Sequence, residues 1–175
     1  MDRPMPNMAF RFMSFFLGCR DLFIPPQTKL HGISIKPGHQ ILDFGCGPGA
    51  YSLKAAEMVG AKGKIYAMDI HPLAIKRVQT KAAHRGVQNI ETIQSARDTG
   101  LAGGSIDIIF LFGVYHSLKN PEWVLEEFYR IIKKSGTLSV IDPHMKENEL
   151  IAGITQSAQF KLMKTVKKVH LFGVV

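Results

Sequence analysis

From about residue 40 onward, apolar positions fall into two alternating rhythms. Gln40–Phe44 is a short, mostly apolar run, read as a strand. In Gly49–Val59 the apolar residues Leu53, Ala56 and Val59 share one side at helical spacing. Lys64–Asp69 predicts a second strand. Pro72–His84 predicts a helix, with proline tolerated in its first turn. Asn89–Gln94 is a third strand, and Ile106–Phe112 (IDIIFLF) is apolar almost throughout, as in a strand covered on both faces. Pro121–Lys134 predicts a helix with Val124, Leu125, Phe128, Ile131 and Ile132 inward. "KKSG" marks its end with cations in the last turn and a glycine stop. Thr137–Ile141 follows as a strand and Glu147–Ala158 as a helix. "FKLMKTV" and "VHLFGVV" then predict an antiparallel hairpin around Lys167 and Lys168.

The start of the chain differs. Residues 1–9 carry two prolines and no rhythm. Phe10–Leu22 places Phe12, Phe15, Phe16 and Cys19 at helical spacing with Arg11 and Arg20 elsewhere, which predicts an amphipathic helix ending before Ile24-Pro25-Pro26. Most of these phenylalanines are expected to pack on the sheet as core. Covering a hydrophobic ligand and touching a membrane surface are the other uses open to them. Between Ser95 and Ser105, "RDTGLAGG" is too glycine-rich for a crossover helix, so a loop or one short turn is expected there. Strands alternating with helices, closed by a hairpin, predict a three-layer α/β sandwich on a mostly parallel sheet. One domain is expected over 1–175, with residues 1–30 as a helical extension and 31–175 as the core.

Composition narrows the function classes. Apolar residues make up 46% and charged residues 21%, a globular rather than disordered balance. Twenty-two lysines and arginines against 14 acids give a net charge of +8. The cations are spread, apart from Lys161, Lys164, Lys167 and Lys168, so no dedicated nucleic-acid surface is expected. Two cysteines, Cys19 and Cys46, give no disulfide framework and suit a reducing cytoplasm. No spacing of thiols and imidazoles fits a metal, and no apolar run reaches the ~18 residues of a membrane span.

The chemistry gathers at "ILDFGCGPGAYS", Ile41–Ser52. Gly45, Gly47 and Gly49 lie between a strand and a helix, where a parallel sheet binds ligands. The lysine of a triphosphate P-loop is missing. Gly45, Gly47 and Ala50 formally meet the dinucleotide pattern, which alone is weak. Asp43 adds a carboxylate beside the loop, suited to a cationic amino-acid end and hence to S-adenosylmethionine. Asp69, at the end of the second strand, is placed to accept ribose hydroxyls under either reading. A dehydrogenase would need a further region for its substrate, which favours the methionine-adenosine ligand. A small NAD-binding oxidoreductase, an RNA methyltransferase and a non-catalytic cofactor-binding protein remain the rivals.

On these residues the chain resembles the class I S-adenosylmethionine-dependent methyltransferases, closest to the branch with the ubiquinone/menaquinone-biosynthesis methyltransferases. "ILDFGCGPGAYS" looks like the first cofactor motif and "IYAMDI" like the second. "GSIDIIFLFGVYHSLKNPEWVLEEFYRIIKKSGTLSVID" is similar to the signature spanning the fourth and fifth strands. The resemblance runs from about Ile33 onward. It implies a seven-stranded sheet ordered 3-2-1-4-5-7-6 with strand seven antiparallel. It also implies cofactor contacts at Asp43, Phe44, Gly45, Cys46, Gly47, Gly49, Asp69, Ile70, Ser95, Ala96, Arg97 and Phe112. The family's usual adenine-binding aspartate is replaced by Ser95. Methyl transfer needs alignment of the acceptor, and a base only when the acceptor loses a proton. Tyr115, His116 and His144 are the candidates. Asp142, after the fifth strand, is a further candidate whose plainer reading is a cap, and Trp123 is read as core. The acceptor is expected to be a small molecule, because the Asn/Asp-Pro-Pro-aromatic motif of amide and adenine-amine methylation is replaced by "FGVYHS".

Overall fold

The computed structural model describes residues 4–23 and 25–175, without the side chains of residues 20–22. Ile24, the first three residues of the N-terminal segment and the side chain of Arg20, all named above, fall outside that description. The strands are β1 (Gln40–Phe44), β2 (Lys64–Asp69), β3 (Ile90–Gln94), β4 (Ile106–Phe112), β5 (Ile132–Ile141), β6 (Phe160–Val166) and β7 (Val169–Val174). The helices are α1 (Asn7–Phe23), α2 (Gln27–Leu30), α3 (Ala50–Val59), α4 (Pro72–His84), α5 (Pro121–Ile131) and α6 (Glu147–Thr155). A 3₁₀ turn occupies Tyr115–Ser117.

One seven-stranded sheet runs β3-β2-β1-β4-β5-β7-β6. β1 to β5 are parallel, and β7 is antiparallel to both β5 and β6. The side chains of β1 and β4 alternate between two cores. Leu42, Phe44, Ile109 and Leu111 face Val124, Leu125 and Phe128 of α5 and Leu150 and Ile154 of α6. Ile41, Ile108 and Phe110 face Ala55, Ala56 and Val59 of α3 and Leu30 of α2. Covering both faces requires near-continuous apolar strands, as read from the sequence.

Three expectations are corrected. The helix after β4 stops at Ile131, not Lys134. Ile132 is already extended and pairs with Ile106, and Lys133 Nζ bonds Asp107 Oδ1 at 2.7 Å, so "IKKSG" is drawn into the sheet past a bulge. Trp123 is half exposed and carries the Arg97 guanidinium 5.1 Å above its ring, so it is no core residue. On α1, Phe12, Phe15 and Phe16 are exposed, and among the described residues Phe10 and Ser14 are the buried positions. Both sides of that helix are apolar, so spacing alone cannot tell which one faces in. The helix-free crossover from Ser95 to Ser105 is present as expected.

The β6–β7 turn is strained. Lys167 and Lys168 both take positive φ, 49° and 68°, the twist of a two-residue hairpin that favours Asn-Gly. Replacing Lys167→Asn together with Lys168→Gly should stabilise the fold by about 1 kcal/mol. Urea denaturation of the double variant checks this; an unchanged midpoint would show that the turn costs nothing.

Candidate active site

Strand order reverses at β1 and β4, and a cavity of about 360 Å³ opens beyond their carboxyl ends. That volume lies within the ~300–1,000 Å³ of small-molecule sites. The glycine loop forms its floor. The N–H groups of Gly45 and Cys46 both reach the Met68 carbonyl of β2, at 2.8 and 2.9 Å. A side chain at Gly45 would collide with Val114. Gly47, at φ +52°, has open space where a Cβ would stand. The loop is thereby folded tightly against β2 while its backbone faces the cavity.

Asp69 locks the loop from the next strand. Its Oδ2 accepts the Gly47 N–H at 2.9 Å and its Oδ1 the His71 N–H at 2.8 Å. A carboxylate has about four acceptor positions, so acceptor capacity remains beyond these bonds. Burial raises its pKa, and the backbone N–H groups of His71, Gly47 and Ile70 oppose that. Asp43 does not line the cavity. It is buried beneath the loop, accepts the Ser52 hydroxyl, and burial pushes its pKa up to about 6, with Asp69 adding to the rise. Two carboxylates under one loop make a floor that attracts a cationic ligand and opposes a pyrophosphate.

Phe44, Gly45, Cys46, Gly47, Asp69 and Ile70 line the cavity, as do Ser95, Ala96 and Phe112. Gly49 caps α3 behind the loop. Ser95 Oγ accepts the Arg97 N–H at 3.2 Å, which leaves its hydroxyl hydrogen free to donate. The Arg97 side chain lies over Trp123, away from the lining residues.

On the β4–β5 side the structure joins residues that the sequence left separate. His116 Nδ1 lies 3.0 and 2.9 Å from the two Asp142 oxygens. Asp142 also accepts the backbone N–H groups of His116 at 2.9 Å and His144 at 3.1 Å. These donors outweigh burial and hold its carboxyl below the usual range. The Asp142 side chain is wholly buried, whereas His116 is about one-third exposed and lines the cavity. An ionised Asp142 fixes the proton on Nδ1 and leaves Nε2 as an acceptor. The His144 ring stands 4.5 Å from that of His116. Tyr115 instead belongs to the core, its hydroxyl packed on Gly153 of α6, and does not line the cavity. Asp142 read as a cap is therefore incomplete. The signal was its register: Phe112 pairs with Ile141, so the residues just past β4 and β5 meet at one rim.

His71 was missed altogether. Buried at the start of α4, it accepts the Leu73 N–H on Nδ1, and its Nε2 stands 3.0 Å from the Met5 carbonyl. Its ring stacks on Phe10 at 4.2 Å. It thus ties the roof of the cavity, which includes Met5, Phe10, Met13 and Leu17, to the strand that carries Asp69. His71-Pro72 at a strand-to-helix junction was the available clue.

A family model described as "Methyltransferase domain" matches residues 35–171. The chain belongs to the class I S-adenosylmethionine-dependent methyltransferases. It is 32% identical over 128 residues to the aklanonic acid methyltransferase DauC of Streptomyces sp. (strain C5), covering 70% of this chain and 57% of that one. It is 26% identical over 145 residues to the ubiquinone/menaquinone biosynthesis C-methyltransferase UbiE of Marinomonas sp. (strain MWYL1), covering 80% and 58%. The chain therefore spans under two thirds of the length of these relatives. A SAM-dependent methyltransferase structure from Aquifex aeolicus superposes with a TM-score of 0.74 at 27% identity, over 86% of this chain and 87% of that one. The sheet order implied by the resemblance is the observed one.

The buried carboxylate has a measurable cost. An unfolded Asp titrates near 3.9. Between about pH 4 and 6 the folded ligand-free chain holds a proton on Asp43 that the unfolded chain has lost, so stability falls as pH rises through this window. Asp43→Asn should be no more stable than the parent at pH ~4, and about 1–3 kcal/mol more stable above pH ~6. Denaturant titrations across this range test it. A pH-independent difference would contradict the buried-carboxylate account.

Proposed function

We propose that this chain transfers a methyl group from S-adenosylmethionine to an apolar small-molecule acceptor whose accepting atom carries a proton, with His116 as the base that removes it. The observation that carries this reading is the Asp142–His116 pair on the cavity wall. Members of the family whose acceptors lose no proton need alignment alone.

The residues present suit the cofactor. Asp69 offers free acceptor positions to the ribose diol, and Phe112, Ile70, Ala96 and Ser95 offer an apolar slot with one hydroxyl for the adenine. The open face of Gly47 and the negative charge of Asp43 beneath it suit the amino-acid end. When bound, S-adenosylmethionine supplies a methyl group already activated by its sulfonium charge. His116 Nε2 accepts the acceptor's proton, and Asp142 stabilises the resulting imidazolium without taking that proton itself. Met5, Phe10, Met13 and Leu17 roof the site and favour an apolar acceptor, and they help exclude water from it. Relatives named for aklanonic acid and for ubiquinone/menaquinone biosynthesis support a small-molecule acceptor.

Transfer of labelled methyl to a panel of phenols and enolisable ketones tests the proposal. His116→Ala should lower kcat/KM by about 10²–10⁴ while S-adenosylhomocysteine affinity stays within a few-fold. Asp142→Asn should lower kcat in the same direction. Full turnover by His116→Ala would remove the base from the reaction. Cofactor binding with no turnover on any acceptor would instead support an accessory, non-catalytic role.

A further inference from the structure

Helix α1 is apolar on two opposite sides. Phe10, Met13 and Leu17 turn toward the cavity. Met8, Phe12, Phe15 and Phe16 recur at three- and four-residue spacing on the outer side, and Phe23 follows two turns after Phe16. These five are 74%, 68%, 67%, 55% and 85% exposed. Phe16 meets Phe12 and Phe15 edge-on, with centroids 4.6 and 6.0 Å apart, so the three rings form one continuous surface. An exposed cluster of this kind marks a contact surface.

Beside the rings runs a second feature. A groove of about 670 Å³ lies between α1 and α4, lined among others by Arg11, Ser14 and Phe15 on one side and Lys76, Arg77 and Thr80 on the other. Ser14 Oγ is buried there with no hydrogen-bond partner among the described residues. Arg77 stacks over Phe10, 5.4 Å from its ring, and Lys76 is exposed. Among the described residues that line it, none is acidic. Arg11 and Phe15 belong to the same stretch of helix, so cationic and aromatic groups present themselves together.

We infer that the outer face of α1 docks on an anionic lipid bilayer. The phenylalanines enter the acyl boundary, and Arg11, Lys76 and Arg77 receive lipid phosphates in the adjoining groove. Charge complementarity decides the occupant. A buried self-association face would pair the rings with rings and leave this basic groove against a second basic groove, whereas an anionic bilayer satisfies both at once. Such docking needs no membrane-spanning helix, and none of the described helices is long and apolar enough to be one. It also places the roof of the cavity next to the bilayer. This inference stands on the surface of α1 and not on the reaction assigned to the cavity.

Sedimentation of the full chain with vesicles tests it, using phosphatidylcholine alone and phosphatidylcholine mixed with phosphatidylglycerol. Binding to the mixed vesicles should be at least tenfold stronger and should weaken as salt is raised. Arg11→Gln and Lys76→Gln should each reduce it about fivefold. Replacing Phe12, Phe15 and Phe16 together by Ser should abolish it, with an unchanged thermal unfolding midpoint because these rings are exposed. S-adenosylhomocysteine affinity without vesicles should be the same in all variants. Four results would overturn the inference: no vesicle binding, equal binding to both vesicle types, tight binding of inorganic phosphate without vesicle binding, or a dimer in solution that the Ser variant dissolves.

Discussion

The hydrogen bond from the Gly47 N–H to Asp69 is the joint on which the site turns. It ties the loop after β1 to the end of β2, across the two strands whose carboxyl ends form one side of the cavity. The loop holds its shape because Asp69 accepts from two backbone donors and because no side chain can replace the hydrogen at Gly45. The energetic consequence is a pair of neighbouring carboxylates, Asp43 buried and Asp69 partly so, both with a pKa raised by burial. A fold that keeps such a pair at its ligand floor is preorganised for positive charge.

The two halves of the sheet supply different chemistry. The β1–β2–β3 side offers fixed acceptors and apolar walls, which bind and orient. The β4–β5 side brings an imidazole and its carboxylate partner to the same cavity, the pair that the proposed proton transfer would use. Both depend on parallel strands ending level at the switch point, and that depends on cores above and below the sheet. The roof is a separate part. It is joined to the floor through His71, whose ring meets Phe10 and whose backbone N–H bonds Asp69.

The strands were legible because burial on both faces leaves little room for polar residues: Ile106–Phe112 could hardly be anything else. The glycine loop was legible because its positive-φ turn and the close approach of Val114 at Gly45 demand that residue type, and Asp69 because an acid closing the second strand stands out from the apolar run before it. The β5 start was not, since "IKKSG" satisfies the local rules for a helix end and only the Lys133–Asp107 bond and the Ile106 pairing show otherwise. The faces of α1 were not, because a helix apolar on both sides has no distinctive moment. Asp142 looked like a cap because its partner, His116, lies 26 residues away, brought close only by the β4–β5 register. Tyr115, one residue earlier, turns the other way into the core, a distinction set by a single 3₁₀ turn.

Calorimetric titration of the unmodified chain with S-adenosylhomocysteine, followed by competition with NADH, tests the central claim most directly. Saturable one-to-one binding well below millimolar, undisturbed by NADH, is the result expected of a floor built from Gly47, Asp69 and the buried Asp43. No heat of binding at millimolar ligand, or displacement by NADH, would contradict it.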